Sequence, residues 1–442
     1  MIIEFSLGNF WSFHEIQTLH MQSAAIKSKF PKVDHENLFQ IGEDFSLLKS
    51  KAIFGANGSG KSNLIRGFRS MIRIIRECIK DEQILQKEIV PFLFQKEAHH
   101  EPSFFQVAFI AEGVQYRYGF EADKTRIITE WLFGKPLASD KGSKIRERYY
   151  FKREGDEIKI NEKEFREGLA FVPKTNQASP LYRENVLFLS LVNAFNGRIA
   201  KSIHHSFLKK INVSSGLEDP FNWIVLLNKL DQDKSFSKRL THFLQSIDPK
   251  ISRLDIVDVP KAEATSRISM VQEPSENRKA GYVVIYRSAT DSKGNLKEVP
   301  LTLHAQEAEG TKKLATLSPF LFHTLDHGGL FVIDEFDARL HPNLSRKIIE
   351  LFHSPNTNKR NAQLIFVSHD SNLLDARLLR RDQIAFTKKD STGATELYAL
   401  AEFKGVRNDS SFEKDYLMGK YNAIPHNLTA LERAVENYVG NE

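Results

Sequence analysis

Phe54-Gly55-Ala56-Asn57-Gly58-Ser59-Gly60-Lys61-Ser62-Asn63 contains a complete G-x-x-x-x-G-K-S/T phosphate loop, running from Gly55 to Ser62. An apolar run, Ala52 to Phe54, leads into it, and Leu64, Ile65, Phe68, Met71, Ile72 and Ile75 follow at helical spacing. That strand–loop–helix setting is what gives the motif its meaning. Glycines let backbone N–H groups turn inward around a triphosphate, and the helix N-terminus adds a field favourable to anionic oxygens. Gly55, Asn57, Gly58, Ser59, Gly60, Lys61, Ser62 and Asn63 are the candidate nucleotide-binding residues. Lys61 is expected to reach the β- and γ-phosphates, and the Ser62 hydroxyl to ligate Mg2+.

With 442 residues, 41% of them apolar, the chain can fill the cores of two or three domains. Its one cysteine, Cys78, allows no disulfide framework and points to a reducing compartment. Met1 to Phe10 reads as a strand, not a signal peptide. No run approaches the ~18 consecutive apolar residues of a membrane span, so a soluble cytoplasmic protein without a membrane partner is expected. A net charge of +6 is mild for this size. The local basic cluster Arg377, Arg380 and Arg381 reads more simply as a solvated helix face than as a phosphate-binding patch.

Residues 1–148 are strand-rich around the phosphate loop and its helix. Val90 to Phe94, Phe104 to Ile110, Tyr116 to Phe120 and Ile127 to Phe133 are the strand candidates beyond it. Over 149–280 the period turns helical, at Asn185 to Ala194, Phe221 to Leu230 and His242 to Ile247, but no heptad is sustained, which excludes a long coiled-coil arm. Over 281–442 strand and helix alternate again. The parse is a nucleotide-binding domain split by a mainly helical insertion.

Leu330-Phe331-Val332-Ile333-Asp334-Glu335 is a buried-strand pattern ending in two carboxylates. Asp334 would hold Mg2+ through water, and Glu335 would polarise the attacking water as the catalytic base. Leu364 to Val367 is a second such strand, ending at Ser368-His369-Asp370, which places His369 where it can sense the γ-phosphate. Between loop and acids, Glu307-Ala308-Glu309-Gly310-Thr311-Lys312-Lys313 forms a turn leading into a helix.

In this order the motifs resemble an ABC-type ATPase head of the RecF/SMC-like branch, suggested by the opening strand with its Asn9-Phe10-Trp11-Ser12-Phe13. The fold implied is α/β: a mixed β-sheet with flanking helices. The chain is similar, more narrowly, to the RloA-like ATPases of abortive-infection and phage-defence operons and to the ATPase subunit of PARIS-type systems. The residues carrying that likeness are Glu309 to Lys313, Asp334-Glu335-Phe336 with Leu340-His341-Pro342, and Ser368-His369-Asp370. Tyr416 to Tyr421 with Ala423-Ile424-Pro425 also fits.

The resemblance implies ATP and Mg2+ as cofactors and a head-to-tail homo-oligomer, at least a dimer, in which Gly310 completes the partner's site in trans. It implies Gln95, after the Val90–Phe94 strand, as a further Mg2+ contact. Ala308 departs from the serine usual in the signature, so slow hydrolysis is expected, and Trp11, where the family often has arginine, removes a phosphate or ribose contact as well. The function implied is a sensor or regulator of a separate toxic effector, a nuclease or other toxin encoded nearby, answering a phage-derived trigger. No nuclease constellation is seen from Arg380 to Glu442, which places such chemistry in trans. The alternative is a DNA-binding ATPase in repair or maintenance.

Overall fold

The strand that carries the phosphate loop is buried along its whole length, from Ser50 to Gly55. Such a strand belongs in the middle of a sheet covered on both faces, where side chains alternate between two cores. The computed structural model describes residues 1–42, 45–137, 146–172, 182–217, 219–258, 281–406, 411–425 and 433. In chain order its first five strands are β1 (Ile2–Gly8), β2 (Gln17–His20), β3 (Leu38–Ile41), β4 (Phe45–Leu48) and β5 (Ser50–Gly55). After the phosphate-loop helix Lys61–Glu77 come β6 (Ser103–Ala111), β7 (Val114–Ala122), β8 (Ile127–Pro136), β9 (Arg148–Glu154), β10 (Glu157–Ile160) and β11 (Ile211–Ser214). The remainder are β12 (Ile251–Asp258), β13 (Gly281–Thr290), β14 (Leu296–Thr302), β15 (Leu330–Ile333), β16 (Gln363–Val367), β17 (Ile384–Lys389) and β18 (Thr395–Ala399).

Two large sheets result. The core sheet runs β11-β15-β16-β5-β17-β18. Its first five strands are parallel, and β18 returns antiparallel to β17. The second sheet is antiparallel throughout, β10-β9-β8-β7-β6-β1-β2. The phosphate-loop helix lies between them. One apolar cluster joins its Leu64, Ile65 and Phe68 to Ile53, Val332 and Ile365 of the core sheet and to Phe5, Phe105 and Phe120 of the antiparallel one. Phe5 and Phe68 stack with ring centroids 3.8 Å apart. The alternate residues of the core strands, Phe54, Phe331, Ile333 and Phe366, face a second cluster built with the helices Pro220–Gln232, Lys234–Gln245, Glu309–His327 and Pro342–His353.

Within 149–280, where helix is expected, the helices Phe188–Ala194, Arg198–Lys210, Pro220–Gln232 and Lys234–Gln245 alternate with strands. β9 and β10 extend the antiparallel sheet, β11 forms an edge of the core sheet, and β12 pairs with β13. Residues 259–280 of that stretch, and the C-terminal extension beyond residue 425 apart from 433, lie outside the described residues. Among the described residues, no helix is long and apolar enough to cross a membrane.

Candidate functional site

Parallel strands put all their carboxyl ends along one sheet edge, and ligands bind in the crevice outside that edge. Here β5, β15 and β16 deliver the phosphate loop, Asp334-Glu335 and Ser368-His369 to the same edge, with β16 between the other two.

The phosphate loop depends on glycine at two places. Gly55, at φ 153, leaves no room for a Cβ, which would stand 2.5 Å from the Thr387 carbonyl oxygen. Gly60 caps the helix at φ 104, and a Cβ there would stand 2.1 Å from Thr395 Oγ1. The same neighbours lock the loop. Ser59 Oγ and Thr387 Oγ1 are 2.6 Å apart, and Thr395 Oγ1 donates to the Ser59 carbonyl at 2.9 Å. Asn63 Nδ2 donates to Ser12 Oγ at 2.8 Å. Lys61 is buried, and its ammonium donates to Gly55 O and Ala56 O at 2.8 and 2.9 Å. Burial pulls its pKa down to about 8, against the attraction of Asp334, Asp337 and Glu335. The lysine therefore lies within electrostatic reach of the three acids.

Asp334 and Glu335 are half-buried at the end of β15. Asp334 N donates to Ser214 O of β11 at 3.0 Å, and Glu335 N to Asp334 Oδ1 at 3.0 Å. Gly216 approaches so closely, at φ 70, that a Cβ would fall 1.8 Å from the Asp334 carbonyl oxygen. Glu335 itself sits at φ 44, an uncommon conformation for a side-chain-bearing residue and one that gathers at functional sites. Lys313 holds it there, donating from a buried ammonium to Glu335 O and Ala338 O. Burial lowers the Lys313 pKa to about 8.

His369 follows β16, and its backbone N–H donates to Asp337 Oδ1 at 3.1 Å. Its imidazole is exposed at the rim, yet partial desolvation and the positive Lys61 hold its pKa below the ordinary value. Gly310 is the second residue of the helix Glu309–His327, and a Cβ there would stand 2.9 Å from the Arg339 carbonyl oxygen. The turn before it is fixed by Arg287, which donates from Nε and Nη2 to the Glu307 carboxylate at 2.6 and 2.8 Å.

The edge thus gathers the phosphate loop, Asp334, Glu335 and His369. Gln95 is different. Residues 90–95 form no strand, and Gln95 lies half-buried in an irregular segment. The cause is local: Pro91 lacks a donor, Val90 O accepts from Trp11 N, and Phe92 N donates to Asn9 Oδ1, so these backbone groups are taken by the Asn9 loop. Thr387, Thr395, Asp337 and Arg287 are supporting residues that no motif announces, and Lys313, though it closes the Glu309–Lys313 motif, had no role assigned to it.

The residues fit the groups implied. The inward-turning glycine loop with Lys61 suits a triphosphate, and the Ser62 hydroxyl with the Asp334 carboxylate supplies hard oxygen donors of the kind Mg2+ takes beside substrate phosphates. Among the described residues, no group of three or more His, Cys, Asp or Glu is arranged to hold a metal by itself.

Residues 52–375 match the family model AAA_21, described as "AAA domain, putative AbiEii toxin, Type IV TA system". The chain belongs to the AAA_21 family. This AAA_21 protein is also similar to the solved SMC head domain from Thermotoga maritima, at 12% identity and a TM-score of 0.37, over 90% of this chain and 98% of that one. No curated protein matches it. As a member of AAA_21 it carries a P-loop ATPase fold, and its matched span includes the phosphate loop, the acidic strand and His369.

Proposed function

We propose that this protein binds and slowly hydrolyses ATP, and that ATP-built oligomers of it control a separate toxic effector in anti-phage defence. The observation that carries the hydrolytic part is the convergence of Lys61, Asp334, Glu335 and His369 on one sheet edge. The loop amides and Lys61 bind and orient the triphosphate. Glu335, held at its φ by Lys313, accepts a proton from the attacking water. His369 stands at the γ-phosphate end as the residue that registers its loss. Mg2+, when bound through Ser62 and Asp334, neutralises charge on the phosphate oxygens. ATP in place of GTP, Gly310 acting in trans on a partner's nucleotide, and kinship with the RloA-like and PARIS-type defence ATPases rest on the sequence resemblance. The toxin–antitoxin wording attached to AAA_21 supports the defence reading.

The test is co-expression of a tagged copy with its neighbouring genes, as wild type and as Lys61→Ala. A stoichiometric partner held by wild type and lost from the variant is the expected result. DNA retained in an ATP-dependent manner with no protein partner would replace this reading with a DNA-maintenance ATPase.

A further inference from the structure

The sheet order fixes which way a nucleotide lies in this site. From β5, the acids of β15 stand on one flank, and β17 and β18 on the other. Asp334 and Glu335, the acids that the proposed function sets at the γ-phosphate, follow the end of β15, so the γ end faces the β15 flank. The nucleoside therefore leaves the loop on the β18 flank, past Asn63. Ser12 lies there, its Oγ accepting from Asn63 Nδ2 at 2.8 Å and lying 2.8 Å from Thr395 Oγ1 of β18. Trp11 adjoins it.

Trp11 is held in an unusual way. Its φ is 51, and that of Asn9 is 42, the first a true outlier for so bulky a side chain. Trp11 N donates to Val90 O at 2.7 Å, Phe10 and Phe13 pair across the turn, and Asn9 Nδ2 donates to Ala98 O at 2.8 Å. The indole is half-buried against the core, and the guanidinium of the exposed Arg66 lies 4.7 Å from its centroid. Arg66 is one helical turn beyond Ser62, on the same helix face. A flat, π-faced group already covers that ring, one turn from Ser62.

We infer that Trp11 is the nucleobase platform of this site: the base of the bound nucleotide stacks on the indole face that Arg66 covers. An indole offers no charge and a single N–H donor, so it cannot replace a cation on phosphate. It does offer a rigid aromatic surface, which is what base stacking needs. The inference rests on the nucleotide-binding reading above.

The test is calorimetric titration of ATP and of inorganic tripolyphosphate, both with Mg2+, into wild type, Trp11→Ala and Trp11→Phe. Stacking predicts that Trp11→Ala weakens ATP by about 5- to 100-fold. Tripolyphosphate affinity stays unchanged, and Trp11→Phe recovers most of the loss. Equal losses for both ligands, or no loss for ATP, would overturn the platform. Wild type that binds tripolyphosphate as tightly as ATP would overturn it while leaving the phosphate loop intact; wild type that binds neither would overturn both. Should Trp11→Ala fail to fold, fluorescence decides. ATP is expected to change the emission of wild type, which has three tryptophans, more than that of Trp11→Phe. Equal changes in the two proteins overturn the assignment.

Discussion

Lys313 Nζ lies 2.7 Å from the carbonyl oxygen of Glu335, so an ammonium on the helix before the acidic strand clamps the backbone just after it. A second bond, to Ala338 O at 2.8 Å, spans the whole acidic turn. Charged donors of this kind are worth roughly 1.5–3 kcal/mol each when buried.

Lys313→Met keeps the aliphatic stem and removes the clamp. Turnover is expected to fall at least about tenfold, since misplacing a catalytic group by an ångström costs that much or more. ATP affinity should change little, because the ammonium is bonded to the acidic turn and not to the phosphate loop. Steady-state phosphate release beside equilibrium ATP titration separates the two effects.

Glu335→Gln should bind ATP as wild type does and hydrolyse it about 100-fold or more slowly, the usual loss for a general base. Light scattering on a size-exclusion column should then find ATP-dependent dimers accumulating. Turnover equal to wild type would remove Glu335 from the mechanism.

Gly216→Ala should disturb the acids from outside the site. Its Cβ would meet Asp334 O at 1.8 Å, whereas a Cβ on Gly42, at a similar positive φ, would meet nothing within 4 Å. Both alanines carry the left-handed penalty of about 1–2 kcal/mol. Only Gly216→Ala should also lower turnover, and comparing the melting temperature and rate of the two variants isolates the contact.

Lys61 gives a pH dependence of definite sign. Burial lowers its pKa to about 8, so the ammonium that attracts phosphate is largely present at pH 7 and is lost as pH rises through 8. Tripolyphosphate affinity should fall by up to about tenfold per pH unit above that point, with proton uptake on binding. Stability runs the other way. The unfolded chain, with a normal lysine pKa, holds more protons than the folded one between about pH 8 and 10.5, so this group's contribution to folding stability rises with pH across that window. Titrations from pH 7 to 9 check the first statement. Affinity flat across that range would mean that Lys61 is not depressed.

The positions of the phosphate loop, the acidic pair and His369 were legible because each follows a short apolar run that reads as a buried strand, β5, β15 and β16. Their supports were not. Lys313 falls in the Glu309–Lys313 motif, but a lysine one turn into a helix carries no sign of its partner, and only the fold turns it inward onto Glu335. β11 is four residues long, too short to display a period, and owes its place to pairing with β15. In β9, Tyr150, Phe151 and Arg153 are all buried, which spoils the alternation that announces a strand. Val90 to Phe94 shows the opposite fault, an apolar run whose backbone bonds are claimed by Asn9 and Trp11.

β11 comes from the middle of the chain, yet its last residue, Ser214, accepts the backbone N–H of Asp334, and Gly216 presses on that residue's carbonyl. The helix Pro220–Gln232 starts a few residues later, and its Asn222 is tied back to Ser214 Oγ at 3.0 Å. The middle of the chain is thus no detachable ornament. The backbone of Asp334 is held on both sides, at its N–H and at its carbonyl, by a segment that the helix Pro220–Gln232 anchors.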